Sequence, residues 1–138
     1  METEFEQLGL KITTREDYIL VEPSKGIDLL EVLFGLYKLL SMSEFQDKND
    51  VWVFREGKMN IAYSDLYKIK EYVKNNIPKF SKKKKTAIVV ETGMQRSLAE
   101  MYAEIEGELP HEIRVFSDFT SAEEWIKKSF QVSPKTSR

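Results

Sequence analysis

Val51-Trp52-Val53-Phe54 is a run of large, β-preferring residues with no polar side chain on either face, and a strand of that kind needs cover from both sides. Thr86-Ala87-Ile88-Val89-Val90 has the same character. Between the two runs, beyond Ser64, the residues Leu66, Ile69, Val73 and Ile77 recur at helical spacing while Lys68, Lys70 and Lys74 point elsewhere. This predicts an amphipathic surface helix over Asp65 to Asn76, stopped by Pro78. Strand–helix–strand alternation implies largely parallel pairing through right-handed crossovers, with helices flanking the sheet.

Working outward toward the N-terminus, Ile27 to Leu40 reads as a helix whose polar positions Asp28, Glu31, Gly35 and Lys38 trace one narrow stripe. The rest of it, from Leu29 to Leu40, is more apolar than one sheet contact requires. Before it, Leu8, Leu10 and Ile12 alternate with small or polar residues as an edge strand does, and Tyr18 to Glu22 supplies a second strand ended by Pro23-Ser24-Lys25-Gly26. The polar Thr14 to Asp17 between them predicts an antiparallel hairpin.

Toward the C-terminus, Glu91-Thr92-Gly93 breaks the second internal strand, and Leu98, Met101, Tyr102 and Ile105 form the inner stripe of a helix closed by Gly107 and Pro110. Ile113, Val115 and Phe116 make a last strand. Thr120 to Glu124 offers two overlapping capping boxes for a final helix with Ala122, Trp125 and Ile126 on its core face. The predicted order is ββαβαβαβα: one α/β domain over residues 1–130, mostly parallel, with an antiparallel N-terminal hairpin at its edge and a frayed tail over 131–138.

The 138 residues suffice for one core, and 41% hydrophobic with 32% charged residues at a net charge of −2 is a globular profile. Near-neutrality argues against a general nucleic-acid binder. With no cysteine, disulfides, thiolate metal sites and cysteine nucleophiles are excluded, and a reducing cytoplasm fits. Met1 to Gln7 is acidic and unlike a secretory signal. Ile27 to Leu40 would span roughly 21 Å as a helix, short of the ~30 Å hydrocarbon core, so stable membrane insertion is not expected.

Three segments carry a family resemblance: Tyr-Ile-Leu-Val-Glu-Pro-Ser-Lys-Gly at 18–26, Thr-Ala-Ile-Val-Val-Glu at 86–91, and Arg-Val-Phe-Ser-Asp-Phe-Thr-Ser-Ala-Glu-Glu-Trp-Ile at 114–126. Over Leu8 to Lys128 the chain resembles the SpoIIAA-like proteins, the small STAS/Sec14-type domains. In the anti-sigma-factor antagonists among them, the resemblance implies a phosphorylatable serine in an Asp-Ser-Ser-Gly-type turn. The corresponding region here, Lys58 to Tyr67, has a single serine, Ser64, and no glycine.

Two regions are candidate sites. Asn60, Ser64, Glu91 and Thr92 follow internal strands, where open α/β sheets gather ligands and partners; Ser64 reads as a phosphoacceptor or as a plain N-cap. Leu30, Leu33, Phe34 and Tyr37 represent the surplus apolar surface, readable as core, as a dimer face or as the wall of an apolar pocket. Lys79 and Lys82 to Lys85 read as a solvated turn or as a patch steering an anionic surface. His111, the only histidine, cannot build a multi-histidine metal site. No phosphate-binding glycine loop or serine-hydrolase turn occurs, and no cofactor is implied. The expectation is a non-enzymatic cytoplasmic regulatory or protein-binding module. Its alternative is a Sec14-like carrier of a small apolar or lipid ligand.

Overall fold

In the computed structural model, β5 (Asn49–Phe54) and β7 (Lys84–Val90) are the internal strands that their doubly apolar sequences require, paired in parallel with Trp52 beside Ile88. The structure describes residues 3–7, 10–23, 27–42, 48–54, 59–76, 84–91, 93–105 and 111–128. Leu8, Pro78, Lys79, Phe80, Lys82, Lys83, Thr92, Gly107, Pro110 and the tail over 131–138 lie outside the described residues, as does the side chain of His111.

β3 (Tyr18–Pro23) pairs in parallel with β5 on one side, and β8 (His111–Phe116) with β7 on the other. β2 (Leu10–Thr14) is antiparallel to β3, as the hairpin reading requires, and the Arg15 N–H donates to Tyr18 O at 2.9 Å to close the turn. The hairpin is not the sheet's edge, however. β1 (Thr3–Gln7) pairs antiparallel along the outer side of β2, giving the order β1-β2-β3-β5-β7-β8. Thr-Glu-Phe-Glu-Gln has too little apolar alternation to announce a strand; the open hydrogen-bonding edge of β2 supplies the template. A second, two-stranded pairing joins β4 (Ile27–Asp28) to β6 (Met59–Asn60) in parallel.

Side chains alternate across the sheet. One face, with Leu10, Ile12, Ile19, Val21 and Trp52, is covered by α1 (Leu29–Ser41), α2 (Tyr63–Asn76) and α3 (Gly93–Ile105). The other, with Tyr18, Leu20, Val51, Val53, Ala87 and Val89, is covered among the described residues by α4 (Phe119–Lys127) through Ala122, Trp125 and Ile126.

Four local expectations are corrected. The internal strands start earlier than their apolar runs, so Lys84 and Lys85 are strand residues, 2% and 6% exposed, and belong to no solvated turn or steering patch. Ser64 is no N-cap: α2 starts at Tyr63, and the Ala62 N–H donates to the Asp65 carboxylate at 2.9 Å. The last helix is capped by Asp118, which accepts from the Ser121 N–H at 2.7 Å, and not by Thr120 or Ser121. On α1 the stripe of Asp28, Glu31, Gly35 and Lys38 does not define the solvent face, because Gly35 is buried.

Gly35 is where α1 comes closest to the sheet. A Cβ there would lie 3.2 Å from Leu10 Cδ1 and 3.2 Å from Trp52 Cη2. Gly35→Ala gains up to about 1 kcal/mol in helix propensity and loses a similar amount to those contacts, leaving stability nearly unchanged. Gly35→Val pushes a branched side chain into Leu10 and Trp52 and is expected to cost about 1–3 kcal/mol, read from urea midpoints.

Candidate functional site

Because β3, β5, β7 and β8 are parallel, their carboxyl ends share one edge of the sheet, and α1, α2 and α3 start from that edge. The β4–β6 pairing sets Asp28 beside Asn60 and so ties the start of α1 to the approach to α2. Asp28 caps α1 through a reciprocal box: its carboxylate accepts from the Glu31 N–H at 2.9 Å, and Glu31 Oε1 accepts from the Asp28 N–H at 3.0 Å. At the end of β7 the Glu91 N–H donates to Gln95 Oε1 at 3.2 Å, with Gln95 buried. Arg96 donates to Ser117 Oγ at 2.8 Å and to Glu100 at 3.0 Å, joining α3 to the end of β8.

Asn60, Ser64 and Glu91 are all exposed at this edge, the place that the order of strands and helices assigns them. Tyr63 and Tyr67 on the first turns of α2 join them, 59% and 58% exposed. Sequence reading missed both tyrosines. Their spacing from Leu66 and Ile69 puts them off the core stripe, and that offset was the available signal.

The second region separates into two parts. Leu30 and Tyr37 project from α1 into solvent, 74% and 60% exposed. Leu33 and Phe34 are half-buried and pack against the core that α1 shares with the sheet.

A buried polar cluster lies at the opposite, amino-terminal end of β5 and β7. Asp50 accepts from Trp52 Nε1 at 2.9 Å and from Thr86 Oγ1 at 3.0 Å, and Lys84 Nζ stands 3.9 Å from the same carboxylate. The Lys84 and Asp50 side chains are 2% and 5% exposed. Extending the period-2 pattern of Thr86 and Ile88 back by two residues puts Lys84 on this face, but the lysine run hid it. On the other face Lys85 Nζ donates to the Trp125 and Lys128 carbonyls at 3.0 and 2.6 Å, neutralising the negative end of α4.

Tyr18 is buried, donating to Glu123 at 2.6 Å and accepting from Arg15 at 3.0 Å. Burial, then the bond to Glu123, pushes its hydroxyl up to about 12, whereas burial pulls the Lys84 ammonium down to about 8. The two act oppositely in alkali. Between pH 8 and 10.5 the unfolded chain holds the Lys84 proton and the folded chain does not, so this group raises stability with pH. Between 10 and 12 the unfolded chain gives up the Tyr18 proton while the folded chain keeps it, so stability falls. Urea titrations at stepped pH should show Lys84→Met flattening the rise and Tyr18→Phe flattening the fall.

Among the described residues no group of three or more His, Cys, Asp or Glu side chains is placed to hold a metal ion. No described helix is long and apolar enough to cross a membrane.

No family model matches the chain, and no curated protein does. A solved structure is similar: an uncharacterized protein of the DUF3478 family with a SpoIIAA-like fold, from Shewanella loihica PV-4. It superposes with a TM-score of 0.52 at 14% identity, over 85% of this chain and 91% of that one. The fold is therefore SpoIIAA-like. An identity this low carries no function across, because function resides in sites grafted onto a fold.

Proposed function

We propose that this SpoIIAA-like domain is a non-enzymatic protein-binding module of STAS-like type, and that its contact surface is the start of α2 with the adjoining strand ends. The observation that carries this is the exposure of Tyr63 and Tyr67, 59% and 58%, on either side of Ser64 in the sequence. Tyrosines are among the residues that dominate interface energetics, being large, stiff and able to hydrogen-bond at the tip. Exposed Asn60 and Glu91 supply a polar rim. Ser64, in the first turn of α2, places an exposed hydroxyl to one side of the two aromatics, and a charge added there changes the surface without entering the core. The carrier reading has the seat of Gly35 against it, since at that point α1 lies directly on Leu10 and Trp52.

A tagged wild-type chain and two variants, Tyr63→Ala/Tyr67→Ala and Ser64→Glu, would be compared as baits. Each change is at an exposed position, where stability shifts stay within about 0.5 kcal/mol, so circular dichroism melts should coincide. A partner held by the wild type should be lost from the tyrosine variant by about 30-fold or more in affinity, as removal of an interface anchor requires. Equal recovery by all three baits would reject the reading.

A further inference from the structure

The outer face of α1 has a pattern that the α2 surface lacks. Leu30 and Tyr37, one heptad apart, are the exposed large apolar residues of this helix, at 74% and 60%. Seven residues fall only ~20° short of two full turns, so both project along one line away from the sheet. Leu33 and Phe34 stand midway between them, half-buried. Glu31 and Lys38 are also one heptad apart, on one flank of that line, with opposite charges. The capping bond from the Asp28 N–H at 3.0 Å fixes the position of the Glu31 carboxylate.

Exposed apolar residues by themselves select no partner; the order of the charges does. We propose that this face binds a second copy of the chain, the two α1 helices packing antiparallel about a two-fold axis near Leu33 and Phe34. Such an axis, lying in the interface and perpendicular to the helices, keeps a residue on its own flank and reverses its height. Leu30 of one copy then meets Tyr37 of the other, and Glu31 meets Lys38, each contact occurring twice. A parallel pairing, about an axis running along the helices, would exchange the flanks, so that Glu31 and Lys38 of the two copies lie on opposite sides of the contact and neither meets an opposite charge. The charges are paired in the antiparallel orientation only.

A helix of 13 residues is about 20 Å long, and an interface built on it falls in the small class, below about 1,200 Å² in total, that goes with weak, reversible association. This proposal does not depend on the α2 contact: its variants leave Tyr63, Ser64 and Tyr67 in place, and its readout is the chain's own mass.

Sedimentation of the full chain across roughly 5–500 μM, the range in which a weak interface of this class dissociates, should show a monomer–dimer equilibrium. Leu30→Asp/Tyr37→Asp should weaken it at least ten-fold, with circular dichroism melting checking the fold. Should that pair unfold, the charge variants decide the matter. Glu31→Lys and Lys38→Glu should each weaken the dimer, while both in one chain, or an equimolar mixture of the two single variants, should restore it. A chain monomeric throughout the range, a dimer indifferent to the Leu30 and Tyr37 changes, or charge variants that fail to rescue one another would overturn the proposal.

Discussion

Replacing Asp50 with Ala is expected to cost about 3–5 kcal/mol, a large part of the stability of a domain this size. The carboxylate accepts from Trp52 Nε1 and Thr86 Oγ1 at 2.9 and 3.0 Å and is the counter-charge 3.9 Å from the Lys84 ammonium. With both side chains at 5% exposure or less, water replaces little of what is lost. Alanine thus leaves a desolvated positive charge without its carboxylate and two buried donors without their acceptor. Lys84→Met should be milder, because it deletes the buried charge, keeps the stem's packing and leaves Asp50 its two neutral donors. Equilibrium urea unfolding gives both numbers. If Asp50→Ala proves no worse than Lys84→Met, the cluster is not held together as described.

Trp125→Ala is expected to cost a comparable ~3–5 kcal/mol, the range for deleting a buried aromatic. Trp125 is 9% exposed, lies 5.7 Å from Phe116 ring to ring, and is flanked by Lys85 Nζ at 5.0 Å and Arg114 Cζ at 5.1 Å from its centroid. It is also the largest side chain that α4 offers to its face of the sheet, where Ala122 and Ile126 are its buried neighbours. Losing it opens a cavity over Val89 and Ala87 and weakens the seat of the helix whose carbonyls Lys85 caps. The chain has two tryptophans, so in this variant fluorescence reports Trp52 alone, on the opposite face. An unfolding midpoint within experimental error of wild type would show that α4 is held by other contacts.

Most of the layered architecture is legible in the residues themselves. Val51 to Phe54 and Thr86 to Val90 can exist as strands only if covered twice, and Leu66, Ile69 and Val73 require a helix with one buried side. The parts that eluded sequence reading share a cause. Lys84, Lys85 and Asp50 look like solvent residues because a charged side chain is normally excluded from a core, and only the pairing of two distant strands supplies the partners that make burial tolerable. Ser64 and Thr120 look like helix caps because their residue types favour caps, yet Asp65 and Asp118 make the capping bonds in the folded chain. Thr3 to Gln7 has no strand signal of its own because its pairing depends on the edge of β2.

For the candidate surfaces, the sequence by itself determined which residues reach the carboxyl edge of the sheet, Asn60, Ser64 and Glu91, since that follows from the alternation of strands and helices. It also determined that α1 carries more apolar side chains than one sheet face can take. Only the tertiary structure decided which of them remain outside. Helical periodicity fixes relative angles around an axis, but the rotation of the helix about that axis is set by where it fits closest. On α1 that point is Gly35, whose missing side chain lets the helix settle onto Leu10 and Trp52 and turns Leu30 and Tyr37 toward solvent.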